Sequence, residues 1–201
     1  MDSSEFKKLL SKKFPFDATD SQKFWLESIV DFLYTADKNV LYLLKGYAGT
    51  GKSTLIGHLV KLLHEANYKA VLMAPTGRAA KVIANYSGKK AFTIHKQIYF
   101  TKTEKGSGVQ FVLKPNKCRN TLFIVDEASM IGDDRQNAKL FENGSLLDDL
   151  MQYVDAGTNC KLLLVGDPAQ LPPVHLSISP ALDGEYLENK FNKTVTEWEL
   201  K

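Results

Sequence analysis

Arginine is scarce in this chain. Arg78, Arg119 and Arg135 are the only three, and the remaining 23 of the 26 basic residues are lysine. Enzymes that phosphorylate small molecules clamp the transferring phosphoryl group with an arginine-rich lid, so the shortage counts against that class. Cysteine is scarcer still. Cys118 and Cys160 cannot build a disulfide framework, and their separation lacks the paired spacing of a metal site, which leaves them as small thiols at the edge of the core. No apolar run approaches the roughly 20 residues that a membrane-spanning helix needs. The N-terminal Met1-Asp2-Ser3-Ser4-Glu5 has no basic patch leading into an apolar stretch. These absences predict a reduced, cytoplasmic setting with no membrane partner. Internal repeats and low-complexity linkers are missing too.

What is present fits one α/β domain. The 201 residues are 44% hydrophobic and 24% charged, enough for one sizeable core, whereas two full domains would be cramped. The net charge of +3 permits a polyanionic partner without requiring one. Four short apolar runs, 40–44, 70–74, 121–125 and 161–165, have the length and character of buried parallel strands, with helical stretches between them. Two helices are expected before the first strand, within residues 4–36. One runs from about Ser4 to Phe14, stopped by Pro15, and the next starts near Thr19 with Leu26, Ile29, Val30 and Leu33 on one face. Such alternation predicts an open, mainly parallel sheet with helices on both faces and a ligand beyond the carboxyl ends of the strands. Residues 98–114 interrupt it with alternating apolar residues around Lys105-Gly106-Ser107-Gly108, the pattern of a small β-hairpin insertion. Residues 131–145 are polar and are expected as a surface loop before a helix that carries Leu146, Leu147, Leu150 and Val154.

The most informative segment is Gly46-Tyr47-Ala48-Gly49-Thr50-Gly51-Lys52-Ser53, followed by Thr54. It lies between the first apolar strand and a helix with Leu55, Leu59, Leu62 and Leu63 in period, the context of a phosphate-binding loop. Gly46, Gly49 and Gly51 permit backbone angles closed to other residues and bring amide N–H groups close to phosphate oxygens. The positive end of the helix faces the same anion. Lys52 supplies a point charge at the β and γ phosphates, and the Ser53 hydroxyl suits Mg²⁺, a hard cation that prefers oxygen. ATP and Mg²⁺ are therefore the expected ligands, held by Gly46, Ala48, Gly49, Thr50, Gly51, Lys52, Ser53 and Thr54.

A second apolar strand ends in Asp126-Glu127, two adjacent acids whose burial is costly unless a cation pairs with them. Asp126 is the expected metal-side acid and Glu127 the base that activates water. A third strand ends in Gly166-Asp167-Pro168-Ala169-Gln170-Leu171-Pro172-Pro173-Val174, which would bring the Gln170 amide toward the γ-phosphate, with the stiff proline turn beyond it.

These segments together with Ala74-Pro75-Thr76-Gly77-Arg78-Ala79-Ala80, Thr93-Ile94-His95 and Asp126-Glu127-Ala128-Ser129-Met130 resemble the RecD-like branch of superfamily 1 DNA helicases, which includes the exonuclease V alpha subunit. The resemblance covers roughly residues 18–175, in order. It implies a RecA-like phosphate-loop NTPase domain in which Lys52, Glu127 and Gln170 are catalytic. Thr76 and His95 match segments that line the path of single-stranded DNA, although an ordinary helix cap at Thr76 and a packed His95 stay open as alternatives. Gln22 matches the family's adenine-reading glutamine, and Thr19-Asp20-Ser21-Gln22 equally fits a reciprocal helix cap; the two roles are compatible. The hairpin resembles the family's strand-separating pin. Its Tyr99, Phe100 and Phe111 either stack on bases or pack against neighbours.

Helicases of this branch close a nucleotide cleft between two similar domains, the second of which supplies an arginine to the transferring phosphoryl group. None of the three arginines here sits in such a segment. The resemblance thus implies a first motor domain that needs a second RecA-like domain or a partner subunit, and 5′-to-3′ movement on DNA. Two other functions stay open at this point: a small-molecule kinase, and a nucleotide-regulated DNA-binding module without motor activity.

Overall fold

The structure is a computed structural model that describes all residues except 105–107, 134–140, 142 and 171–178. Among the described residues, eight strands and seven α-helices follow one another in the order α1 (Ser3–Lys12), α2 (Asp20–Tyr34), β1 (Val40–Gly46), α3 (Lys52–Leu62), β2 (Lys69–Ala74), α4 (Gly77–Ser87), β3 (Ala91–Thr93), α5 (Ile94–Ile98), β4 (Tyr99–Glu104), β5 (Gly108–Leu113), β6 (Arg119–Val125), α6 (Leu146–Asp155), β7 (Thr158–Gly166), α7 (Gly184–Phe191) and β8 (Thr194–Leu200). Six strands form one parallel sheet in the order β3-β2-β6-β7-β1-β8, and β4 and β5 form the separate antiparallel hairpin.

The four apolar runs become the four central strands. Both faces of each are covered, which is why they read as continuous hydrophobic runs. The pleat sends alternate residues to opposite faces. Tyr42, Leu44, Leu122, Ile124, Leu163 and Val165 pack with α1, α2, α3 and Ile83 of α4 on one side. Leu41, Leu43, Phe123, Val125, Leu162 and Leu164 pack with α5, α6 and α7 on the other. Burying each of these side chains stabilises the fold by roughly 1.5–3 kcal/mol. A slip of one residue in register, for example at the observed pairings Leu43↔Leu164 or Ile124↔Leu163, would exchange the two cores.

The two edge strands were not expected. In β8, Thr194-Val195-Thr196-Glu197-Trp198-Glu199-Leu200 alternates polar and apolar residues and is mostly exposed or half-buried, so it carries no buried run. Its pairing with β1 from Val40↔Thr194 to Gly46↔Leu200 brings its end against the phosphate loop. β3 is only three residues long. The segment 131–145 also departs from a purely polar surface loop, because Ile131 is buried and joins the core beside α6.

Parallel connections place the ends of β1, β6 and β7 side by side. Because β7 lies between β6 and β1, the segments after these three strands meet on one rim.

Candidate active site

The phosphate loop owes its shape to two glycines. Gly49 and Gly51 have φ of +85° and +92°, and a Cβ at Gly51 would stand 2.7 Å from Gln22 Nε2. Thr50 closes the turn by donating its hydroxyl to the Tyr47 carbonyl at 2.9 Å. Lys52 folds back over the loop, its ammonium donating to the carbonyls of Gly46 and, at 2.9 Å, Tyr47.

Helix termini show where an anion belongs. α1, α2, α4, α5, α6 and α7 each begin with a side-chain cap, from Asp2, Thr19, Thr76, Thr93, Ser145 and Asp183 respectively. α3 begins at Gly51 with no side-chain cap and no acid in its first turn. A helix start of this kind offers its first amides and positive dipole end to an anion.

From β6 come the acids. The Asp126 amide continues the sheet ladder by donating to the Met73 carbonyl at 3.0 Å, and the Asp126 carboxylate accepts the Glu127 amide at 3.0 Å. Burial pushes the Asp126 carboxyl up to about 6, with the Glu127 charge adding to the rise and the Glu127 amide and Lys52 opposing it. A carboxylate so placed gains from a divalent cation. Glu127 itself takes a left-handed backbone, φ +56°, a conformation that costs a residue with a Cβ on the order of 1 kcal/mol and turns its side chain off the line of the strand.

Beyond β7, the buried Asp167 accepts the Ala169 amide at 2.9 Å and its carbonyl accepts the Gln170 amide at 3.2 Å. Gln170 therefore projects from a closed turn, and Ser129 donates its hydroxyl to Gln170 Oε1 at 2.8 Å. Leu171-Pro172-Pro173-Val174 lies outside the described residues.

One cleft of about 350 Å³ is lined by Ala48, Gly49, Gly51, Lys52, Ser53, Thr54, Asp126, Glu127, Asp167 and Gln170, with Val82 and Tyr86 of α4 as its further wall; Gly46, Thr50 and Gln22 are not among its lining residues. The spacing of the motifs did not reveal Val82 and Tyr86, which lie four residues apart on α4 and are exposed in the structure. Gln22 makes the reciprocal cap with Thr19 and also donates Nε2 to the Thr50 carbonyl at 3.1 Å. It thereby ties α2 to the loop.

The two residues matched to the DNA path behave differently. Thr76 caps α4 by accepting the Ala79 amide at 3.2 Å, and it lines a hollow of about 490 Å³ that adjoins the cleft, together with Arg78, Ala79, Val82 and Met130. The His95 ring is packed, with centroids 5.3 Å from Phe111, 5.8 Å from Tyr99 and 6.1 Å from Phe141, and burial lowers its pKa. In the hairpin, Tyr99 is buried and donates to Asp149 at 2.6 Å, and Phe111 belongs to the same aromatic cluster. Phe100 is 54% exposed, with the Lys114 ammonium 5.4 Å from its ring centroid.

A parallel sheet whose central strand ends in an uncapped glycine loop, facing paired acids from a strand two places away, defines a RecA-like phosphate-loop domain. The chain belongs to the AAA domain family, whose model matches residues 30–178, and it is similar to helicases of the RecD-like superfamily 1 branch. It is 36% identical over 138 residues to the ATP-dependent RecD2 DNA helicase of Deinococcus radiodurans, covering 67% of this chain and 16% of that protein. It is 28% identical over 177 residues to the ATP-dependent DNA helicase dda of Enterobacteria phage T4, covering 87% of this chain and 37% of the relative. Among solved structures the Pif1 helicase of Candida albicans shares the fold with a TM-score of 0.54 at 24% identity, over 92% of this chain and 40% of that one. The chain thus spans well under half the length of each.

Proposed function

We propose that residues 1–201 form the ATP-binding first motor domain of a DNA helicase that couples Mg-ATP hydrolysis to movement along single-stranded DNA, 5′-to-3′ by the family resemblance. The observation that carries this reading is the uncapped start of α3 facing Asp126 and Glu127 across one cleft.

In this reading the amides of Gly46, Ala48, Gly49, Thr50 and Gly51 cradle the phosphates, with Thr54 in the first turn of α3. Lys52 turns from the loop carbonyls to the β and γ phosphates. Ser53 and Asp126 hold Mg²⁺, which would neutralise charge on the phosphate oxygens. Glu127 takes a proton from the attacking water, and Gln170 faces the γ-phosphate. Gln22 reads the adenine edge while bracing the loop. Thr76 belongs to the DNA path on the resemblance, whereas the packing of His95 against Tyr99, Phe111 and Phe141 favours a structural role for that residue.

A second RecA-like domain, or a partner subunit, supplies the arginine. Arg119 begins β6, at the opposite end of that strand from the acids, and Arg78 lines the hollow beside Thr76. Arg135 lies outside the described residues. A DNA-binding module without motor activity would have no use for a water-activating glutamate beside the metal-side acid, so the motor reading is favoured.

The test is steady-state ATP turnover by residues 1–201. Slow turnover that single-stranded DNA barely changes is expected, together with its loss in Glu127→Gln and retention of nucleotide binding by that variant. Robust DNA-stimulated turnover by the chain alone would contradict the need for a second domain.

A further inference from the structure

Gln170 and Ser129 reach the site from different strands. Ser129 lies in the short 3₁₀ turn Ala128–Met130 that follows Asp126-Glu127 after β6, and Gln170 follows β7. Because β6 and β7 are neighbours in register, the two turns meet, and the Ser129 hydroxyl donates to Gln170 Oε1 at 2.8 Å. Ser129 is 1% exposed, whereas Gln170 is exposed and lines the cleft.

In the structure the bond takes up the acceptor end of the Gln170 amide. Glutamine carries an acceptor oxygen and a donor nitrogen at almost the same distance from its backbone. Rotation by half a turn exchanges them at little cost in a free side chain. With Oε1 accepting from Ser129, the exposed Gln170 side chain keeps the N–H groups of Nε2 to offer at the cleft it lines. A γ-phosphate oxygen is an anionic acceptor, so this orientation attracts it and the rotated one repels it.

We propose that Ser129 is a positioning residue that fixes the Gln170 amide with its donor toward the γ-phosphate, and so sets how strongly the site prefers ATP over ADP. The proposal rests on the reading of Gln170 as facing that phosphate. Ser129 acts only through Gln170, and it links the turn that directly follows Asp126-Glu127 to the turn that carries Gln170.

The experiment measures Mg-ADP and the Mg complex of the non-hydrolysable β,γ-imido analogue of ATP by isothermal titration on residues 1–201. Four variants are compared with the parent: Gln170→Ala, Ser129→Ala, Ser129→Thr and the double alanine. Gln170→Ala should lower the preference for the triphosphate about tenfold, the worth of one charge-assisted hydrogen bond. Ser129→Ala should lower it about fivefold by releasing a glutamine rotamer. Ser129→Thr, which keeps the hydroxyl, should restore it. The double variant should match Gln170→Ala. Mg-ADP affinity and the thermal midpoint should stay near the parent values throughout, which separates positioning from a fold defect.

If Gln170→Ala lowers the preference and Ser129→Ala changes it less than twofold, the inference fails while the Gln170 reading stands. A double variant clearly worse than Gln170→Ala also overturns it, since Ser129 would then act on its own. If Gln170→Ala has no effect, the sensor reading fails and the inference falls with it.

Discussion

At the scale of single residues, the fold accommodates charge by giving each buried group a specific partner. Lys161 stands at the head of the apolar run of β7 and is 2% exposed, yet its ammonium donates to the carbonyls of Phe32 at 2.6 Å and Thr35 at 2.8 Å. Those carbonyls lie at the negative end of α2, where a cation is favoured. Burial still dominates and lowers the Lys161 pKa from 10.5 to about 8. Because the folded value lies below the unfolded one, the charged lysine costs stability below pH 8, and the cost is relieved as the pH rises from 8 to 10.5. Chemical denaturation across that window should therefore show the parent gaining stability relative to Lys161→Met. Parallel pH profiles would refute the assignment. Lys161 was invisible as a cap in the sequence, where it sits 126 residues from Thr35.

Elements obey packing rules that the sequence carries only in part. The continuous apolar runs announced the four central strands because both their faces are covered. The edge strands β3 and β8 escaped because one is three residues long and the other alternates polar and apolar positions with little burial. Helix α4 matters most to the site, since Val82 and Tyr86 form one wall of the cleft. It lies against α3 at Gly57, where an added Cβ would stand 2.9 Å from the Tyr86 carbonyl oxygen. Backbone cannot yield there as a side-chain tip can. Gly57→Ala should cost roughly 1–3 kcal/mol of overpacking, read as a lower midpoint in urea with an unchanged slope. It should also weaken nucleotide binding, because α4 must move from the cleft wall. A variant as stable as the parent would show that the two helices are not held at this contact.

Taken as a whole, the molecule brings distant segments to one rim by topology. Lys52, Asp126 and Gln170 are far apart in sequence, and their residue types alone raised the expectation of phosphate chemistry, while the fold brings them to one cleft. What the sequence could not supply is adjacency: that β7 stands between β1 and β6, that Ser129 touches Gln170, and that Gln22 touches the loop as well as capping its own helix. These contacts depend on strand order, which periodicity does not encode. His95 and Tyr99 show the converse, since residues matched to the DNA path or the pin turn out to share a packed aromatic cluster at the hairpin's base. The central claim is that the α3 terminus and the Asp126 side of the cleft hold one nucleoside triphosphate with its metal. Isothermal titration of ATP into residues 1–201, with and without Mg²⁺, tests it most directly. The account predicts one site per chain, saturable and strengthened by Mg²⁺, that Lys52→Ala weakens at least tenfold, on the order expected for a charge-assisted contact. Binding that is indifferent to both Mg²⁺ and Lys52→Ala, or no binding at all, would contradict it.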